Sequence, residues 1–314
     1  MEEEEERASE IYTPLALTEI EARQCLHTME HFPLYKGLDV SNKNLTHVSV
    51  IPRSFMYVRR VNVSGNRLTS EALRVLECMD LFELLADKNQ LISAELRPMK
   101  YLQTLTMNEN RLTYAGTSVI SHKLLKVLEL KNNLISTIDF DKDKILSNLL
   151  TLELRGNALT TTAKIHCPTL THLFLAKNQI EKIETLRELP NLMVLHLRSN
   201  QLANLDGFSN QCLQLNYINL RDNKISNISE LAKLSCLRCL QTLIILENPF
   251  LRKIREDEEG KKYRRIVLMM IPNLIKIDKI FVEKRERDQA KELLRIIQKT
   301  EYGFTDYDVA NFDF

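Results

Sequence analysis

The sequence contains an asparagine that recurs every 21 to 25 residues along most of its 314 positions. Each asparagine belongs to the same short phrase, with apolar residues five and three positions before it and two positions after it, as in LELRGNALT. Nine copies in register indicate one structural unit that cannot bury its apolar face alone and must stack on its neighbours. The asparagines are Asn66, Asn89, Asn110, Asn133, Asn157, Asn178, Asn200, Asn223 and Asn248.

This phrase is typical of the leucine-rich repeat and predicts an α/β solenoid of about nine or ten repeats of ~22 residues. Apolar pairs such as Leu195 and Leu197 would point inward from short strands that stack in a parallel concave sheet. The three-residue spacing of Ile180, Ile183 and Leu186 favours 3₁₀ or irregular segments on the convex side. We expect the asparagine amides to bond to backbone groups of neighbouring turns, which makes this ladder structural rather than functional.

The flanks of the repeats predict two caps. A Thr18-x-x-Glu21 capping box begins a helix whose apolar stripe would cover the first repeat. That repeat is a degenerate copy, with Lys43 at the asparagine position. The predicted segments are an acidic disordered leader (1–12), an N-terminal capping helix (13–36), the repeats (37–260), a closing cap (261–281), a charged amphipathic helix (282–300) and an acidic-aromatic tail (301–314).

The two C-terminal segments leave alternatives open. Ala290, Leu293, Leu294 and Ile297 share one face of the predicted helix, which either docks on the closing cap or faces a partner. The tail has no helical period and mixes aromatic with acidic residues, so it is either a docking peptide or a disordered end. Its candidate partner-binding residues are Tyr302, Phe304, Tyr307, Phe312 and Phe314.

The composition excludes several functions. A net charge of +1 favours neither nucleic acid nor membrane as a partner. The sequence has no apolar run long enough to span a membrane, and the start MEEEEER is unlike a signal peptide, so we expect a cytoplasmic protein. The six cysteines are expected to be free thiols, and Cys236 and Cys239 to be small buried residues of the convex side rather than a redox or zinc pair.

The sequence predicts no enzyme. The histidines lack metal-ligand spacing and there is no phosphate-binding glycine loop, so we expect no catalytic residue, metal, cofactor or small-molecule substrate. His172 and His196 are expected on the concave face one turn apart, as a surface pair rather than a catalytic site.

Strand alternation identifies the side chains that face the concave surface. Basic residues occupy the position two before the asparagine in the middle repeats, and an aromatic residue stands four before it in one repeat. The arrangement is either a groove for an acidic protein segment or a solvated charge ladder, partly paired with Glu129 and Glu153. An RNA groove would need more positive charge and more exposed rings. The candidates are Lys131, Arg155, Phe174, Arg198 and Arg221.

Some short motifs in the sequence are not required by the solenoid fold. They include GFS at 207–209, ELAKL at 230–234, VRRVNVSGNRLT in the second repeat and TPLALTEIEARQCL before the repeats. From Thr13 to roughly Ala290 the chain resembles the leucine-rich repeat-containing protein twenty-three family of the ciliary axoneme, within the Sds22-like subclass. The ending DYDVANFDF departs from the charged tail of that family.

The resemblance implies a structural subunit of the axoneme of cilia or flagella. Its place would be the head region of the third radial spoke, its partners other radial spoke or axonemal proteins, and its role the support of motility. Two alternatives remain: an Sds22-like phosphatase-regulating adaptor and a ribonucleoprotein subunit.

Overall fold

The chain folds into many short strands joined by irregular outer segments. The computed structural model describes residues 15–30, 34–140, 148–184, 186–254 and 262–299. The strands there are β1 (Leu26–Thr28), β2 (Lys36–Asp39), β3 (Val58–Asn62), β4 (Glu83–Leu85), β5 (Thr104–Thr106), β6 (Tyr114–Gly116), β7 (Val127–Glu129), β8 (Thr137–Asp139), β9 (Thr151–Glu153), β10 (His172–Phe174), β11 (Val194–His196), β12 (Tyr217–Asn219), β13 (Thr242–Ile244), β14 (Lys276–Ile277) and β15 (Ile280–Phe281).

Helices are short in the repeats and longer at the C-terminal side. The α-helices are α1 (Glu19–Gln24), α2 (Val50–Ser54), α3 (Ser70–Arg74), α4 (Lys262–Met270) and α5 (Lys284–Lys299). The 3₁₀ helices are Val75–Cys78, Thr117–Ile120, Leu186–Glu188, Ile228–Cys236 and Pro249–Lys253. The predicted 3₁₀ character of the convex side is therefore confirmed, with α2 and α3 as short α-helical exceptions.

Within the described residues, one sheet of thirteen strands runs along the solenoid, in the order β1-β2-β3-β4-β5-β7-β9-β10-β11-β12-β13-β14-β15. Neighbouring strands from β2 to β14 are parallel, and the inward residues pair in register, as Leu152 does with Leu173 and Leu173 with Leu195. The degenerate first copy forms β2, which pairs in parallel with β3. A separate parallel pair, β6 and β8, lies outside this sheet.

The apolar core lies between the sheet and the outer returns. The central residues of successive strands, such as Leu173, Leu195 and Ile218, are fully buried, and so is the outer Leu189. Burying a leucine side chain stabilises a fold by about 1.5–3 kcal/mol. Because each repeat shares its core with the next, this stabilisation exists only in the stack.

The asparagine ladder joins consecutive repeats, and Asn178 shows the pattern. Its Nδ2 donates 3.0 Å hydrogen bonds to the carbonyls of Leu175, in its own repeat, and Leu154, in the previous one. Its Oδ1 accepts the backbone N–H of Leu159 at 3.0 Å. Asn66, Asn157, Asn200 and Asn223 bind equivalent groups.

The residue before every ladder asparagine adopts a left-handed backbone conformation, with φ between 53° and 69°. Only two of these residues are glycines, although the left-handed conformation costs any other residue about 1–2 kcal/mol. The tight turn into the ladder thus imposes the conformation whatever the side chain. The residues are Gly65, Lys88, Glu109, Asn132, Gly156, Lys177, Ser199, Asp222 and Glu247.

The N-terminal cap differs from its prediction. The capping box is present, since Thr18 Oγ1 accepts from the Glu21 backbone and Glu21 accepts from that of Thr18. However, α1 ends at Gln24, and β1 then pairs antiparallel with β2. Of the segment predicted as a helix (13–36), the described residues are helical only over Glu19–Gln24. Strand β1 follows because a strand satisfies the open backbone groups of the sheet edge and a helix cannot.

The closing cap consists of α4, β14 and β15, and α5 docks on it. The guanidinium of Arg264 binds the Glu286 carboxylate at 2.5 Å, with both side chains almost fully buried. Ala290 and Leu293 are buried and Ile297 partly so, whereas Leu294 remains 39% exposed. Of the two alternatives for this helix, docking on the cap is the observed one.

Candidate functional site

The concave sheet displays rows of side chains, one residue per strand. We call the position two before each ladder asparagine the outer row and the position four before it the central row. Strands β9 to β12 place Arg155, Ala176, Arg198 and Arg221 next to one another in the outer row, because their residues pair in register. The middle of the concave face is therefore basic along one side.

Four rings form a cluster beside this row. The Phe174 ring lies 6.3 Å from that of His172 on the same strand and 5.0 Å from that of His196 on the next. His196 in turn stacks on Tyr217, with centroids 4.9 Å apart. All four residues are half-buried, so one side of the cluster remains open to the concave surface.

His196 behaves as a neutral ring in this cluster. Burial lowers its pKa to about 4, and the charges of Arg155 and His172 contribute in the same direction. At neutral pH its imidazole is therefore uncharged. A neutral ring that is stacked on Tyr217 and tilted against Phe174 extends an apolar platform across three strands.

The arginines of the outer row differ in their partners. Arg155 lies 3.2 Å from the Glu153 carboxylate, and Arg221 binds that of Glu247. Arg198 is exposed and forms no salt bridge with any described carboxylate. It lies near Glu247, whose pKa is lowered mainly by Arg221 and to a smaller extent by Arg198. Arg198 is thus the arginine of this row whose charge remains available.

Ala176 interrupts the basic row. It is 7% exposed and stands between Arg155, two residues after β9, and Arg198, two residues after β11. Strands lie about 4.8 Å apart, so the two arginines are anchored roughly 10 Å apart with only a methyl group between them. Phe174 stands next to the gap on the same strand. Because the alanine side chain is shorter than the flanking arginines, the row is low at Ala176, and we call this position the recess. The site therefore combines the recess, its flanking cations and an adjoining ring platform.

The acidic pair next to the site is also held in place. Glu129 and Glu153 lie opposite each other on β7 and β9. Asn108 donates a 2.9 Å hydrogen bond to Glu129, and Arg155 donates through its backbone and guanidinium to Glu153. Burial raises the pKa of Glu153, a shift opposed by these contacts with Arg155 and reinforced by Glu129. These carboxylates mark the boundary of the basic surface.

Sequence comparison places the chain among known repeat proteins. The family model "Leucine Rich repeats (2 copies)" matches residues 168–210. A Bos taurus protein named "Leucine-rich repeat-containing protein 23" is 41% identical over 260 residues, which are 82% of this chain and 72% of the relative. The Mus musculus protein of that name is 36% identical over 295 residues, 92% of this chain and 84% of the relative. This chain belongs to the leucine-rich repeat-containing protein 23 family.

The predicted solenoid is confirmed by this family and by a structural relative. The functional domain of InlJ from Listeria monocytogenes superposes with a TM-score of 0.57 at 21% identity, over 77% of this chain and 48% of that one. The likeness concerns the fold alone. The partner specificity of this member of the leucine-rich repeat-containing protein 23 family therefore depends on the side chains that its concave face displays.

The structure brings together part of the set that the sequence predicted. In this family member Arg155, Phe174 and Arg198 surround one recess, whereas Arg221 is paired. Lys131 lies further along the row, beside the Glu129 and Glu153 pair. Tyr217 was missed because, of the row six residues before the asparagine, only His172 was considered. The tail candidates Tyr302, Phe304, Tyr307, Phe312 and Phe314 lie outside the described residues.

Other reactive groups do not form a second site in the described ranges. No group of three or more metal-binding side chains occurs there. All six cysteines are free, as predicted. Cys236 is half-buried and Cys239 exposed, which corrects the expectation that both are buried. Of the helices in these ranges, none is long and apolar enough to cross a membrane.

Proposed function

We propose that this protein is a non-enzymatic structural subunit of the ciliary or flagellar axoneme, in the head region of the third radial spoke. Membership of the leucine-rich repeat-containing protein 23 family supports the proposal, and so does the resemblance of its sequence words to the axonemal proteins. In this role the chain is a scaffold that binds other spoke or axonemal proteins and supports motility.

The observation that carries the scaffold function is the concave site on β9 to β12. Its ring cluster lies on strands of a continuous hydrogen-bonded sheet, and Arg198 follows β11 directly, with its carbonyl accepting the Lys177 N–H at 2.8 Å. Arg198 has no salt bridge with a described carboxylate. A rigid element presents a binding surface at little entropic cost. The site holds the groups that recognise an acidic protein segment, in keeping with the predicted groove.

Localisation tests the axonemal role. A tagged chain expressed in a ciliated cell should appear along the axoneme and remain with it after detergent extraction, to be released by high salt together with spoke proteins. A diffuse cytoplasmic signal absent from the axoneme would contradict the proposal. Co-purification of a phosphatase catalytic subunit, or nuclear location with loss of the complex on RNase treatment, would favour the two alternatives instead.

A further inference from the structure

We infer that the recess over Ala176 binds one carboxylate side chain of a partner protein segment, and that a neighbouring aromatic or apolar residue of that segment packs on Phe174, His196 and Tyr217. This inference rests on the proposed scaffold function and specifies the partner chemistry of the same site. The partner segment is acidic, with a carboxylate and a ring or large apolar side chain close in sequence.

The charges determine which kind of ligand the recess takes. Arg198 has no described carboxylate partner, and the guanidinium of Arg155 uses only some of its N–H donors to bind Glu153. A guanidinium has five N–H donors and binds a carboxylate through two parallel hydrogen bonds. A carboxylate over Ala176 would therefore meet one free arginine and one that can still donate.

The apolar part determines what stands beside the carboxylate. Phe174, His196 and Tyr217 are half-buried, and their rings are already ordered against one another; the lowered pKa of His196 leaves its ring uncharged at neutral pH. Ordered rings lose little further entropy on binding, and they favour an aromatic or apolar side chain over a charged one. A uniformly acidic segment would leave this platform without a partner, so the segment must combine both chemistries.

A peptide with the sequence of residues 301–314 provides a suitable probe. It contains four carboxylates (Glu301, Asp306, Asp308 and Asp313) and five aromatic residues. Its amide analogue, with Gln at 301 and Asn at 306, 308 and 313, keeps the rings and loses the charges. Binding of both peptides to the purified full-length protein would be measured by fluorescence anisotropy at fixed ionic strength.

The site variants have matched controls on the same sheet. Arg198→Met should weaken the acidic peptide about tenfold, since a hydrogen-bonded charge contributes this much to affinity. Arg221→Met combined with Glu247→Gln removes the neighbouring arginine as a neutral pair and should change the affinity less than about threefold. Ala176→Leu should fill the recess and weaken binding, whereas Ser64→Leu, at the same row position two residues after β3, should not. Thermal unfolding verifies that each variant is folded.

Three results would overturn the inference. One is equal affinity for the acidic peptide and its amide analogue. A second is an Arg198→Met protein that binds like the paired-arginine control. The third concerns the chain's own segment: if replacing its four carboxylates by amides within the full-length protein strengthens binding of the free peptide, that segment and not a partner occupies the recess. The binding assay uses purified protein, so a negative result in it does not contradict the axonemal role. Equally, absence of the protein from the axoneme does not contradict the measured binding.

Discussion

The Tyr263 hydroxyl donates a 2.9 Å hydrogen bond to Oδ2 of Asp278, whose Oδ1 accepts the backbone N–H groups of Ile245 and Leu246 at 2.8 and 3.1 Å. Asp278 thus supplies acceptors to the last repeat, as the ladder asparagines do inside the solenoid. Burial, and then the nearby Asp278 charge, raise the pKa of Tyr263, so the phenol stays protonated and remains a donor. The ladder therefore ends in a side-chain pair rather than in unpaired backbone groups.

Removing this hydroxyl should loosen the closing cap. Tyr263→Phe keeps the ring and leaves one carboxylate oxygen without its donor, so we expect the free energy of unfolding to fall by about 1–2 kcal/mol. Urea denaturation followed by circular dichroism measures the change. Tyr57→Phe is the control, because Tyr57 is 50% exposed; equal effects of the two changes would contradict the role of the pair.

Loss of one ladder asparagine should cost more than loss of a cap hydrogen bond. Asn178→Ala leaves the buried Leu159 N–H without its partner and removes one of the two amide donors from each of the Leu154 and Leu175 carbonyls, which keep Asn157 and Asn200. One unpaired N–H and two lost hydrogen bonds should lower the free energy of unfolding by about 2–3 kcal/mol. Asn204→Ala, at an exposed asparagine outside the ladder, should change it by less than about 0.5 kcal/mol. A ladder variant as stable as this control would disprove the structural role.

The left-handed turn positions should respond oppositely to glycine and alanine. A Cβ at Gly156 would stand 2.2 Å from Oδ1 of Asn132, so Gly156→Ala should destabilise the protein by about 1–2 kcal/mol. Lys177 has the same backbone conformation with an exposed side chain, and Lys177→Gly should stabilise it by about 0.5–1 kcal/mol. Opposite shifts in urea midpoint are the expected outcome; a loss at both positions would show that Lys177 is not strained.

The repeat phrase predicted the solenoid because its period fixes both the inward residues and the turn. The left-handed conformation of the residue before each asparagine could not be predicted from the sequence. Lys, Glu and Ser adopt it as well as Gly, so no residue type is common to these positions. The pairing of Arg221 was equally hidden, because its partner Glu247 lies 26 residues away in the next turn. Strand β1 was missed because its LHT sequence continues the apolar stripe of α1.

Histidine protonation should make stability depend on pH. His122 is fully buried; its Nδ1 accepts the Met99 N–H at 3.0 Å, and its Nε2 has no hydrogen-bond partner in the described structure. Burial lowers its pKa from 6.5 to about 4. Below pH 6.5 this histidine binds a proton in the unfolded chain but stays neutral in the folded chain. The stability that its burial contributes above pH 6.5 is therefore lost as the pH falls toward 4. The difference corresponds to about 3 kcal/mol across this window.

His122→Asn tests this dependence, because an amide oxygen can still accept from Met99 but cannot titrate. We expect the free energy of unfolding, measured in urea from pH 7 to pH 4.5, to fall less steeply in the variant than in the wild type. Part of the slope should remain, because burial also lowers the pKa of His196. His47→Asn is the matched control, because it makes the same substitution at an exposed position. Identical slopes for the His122 variant and the wild type would show that this buried ring does not couple folding to pH.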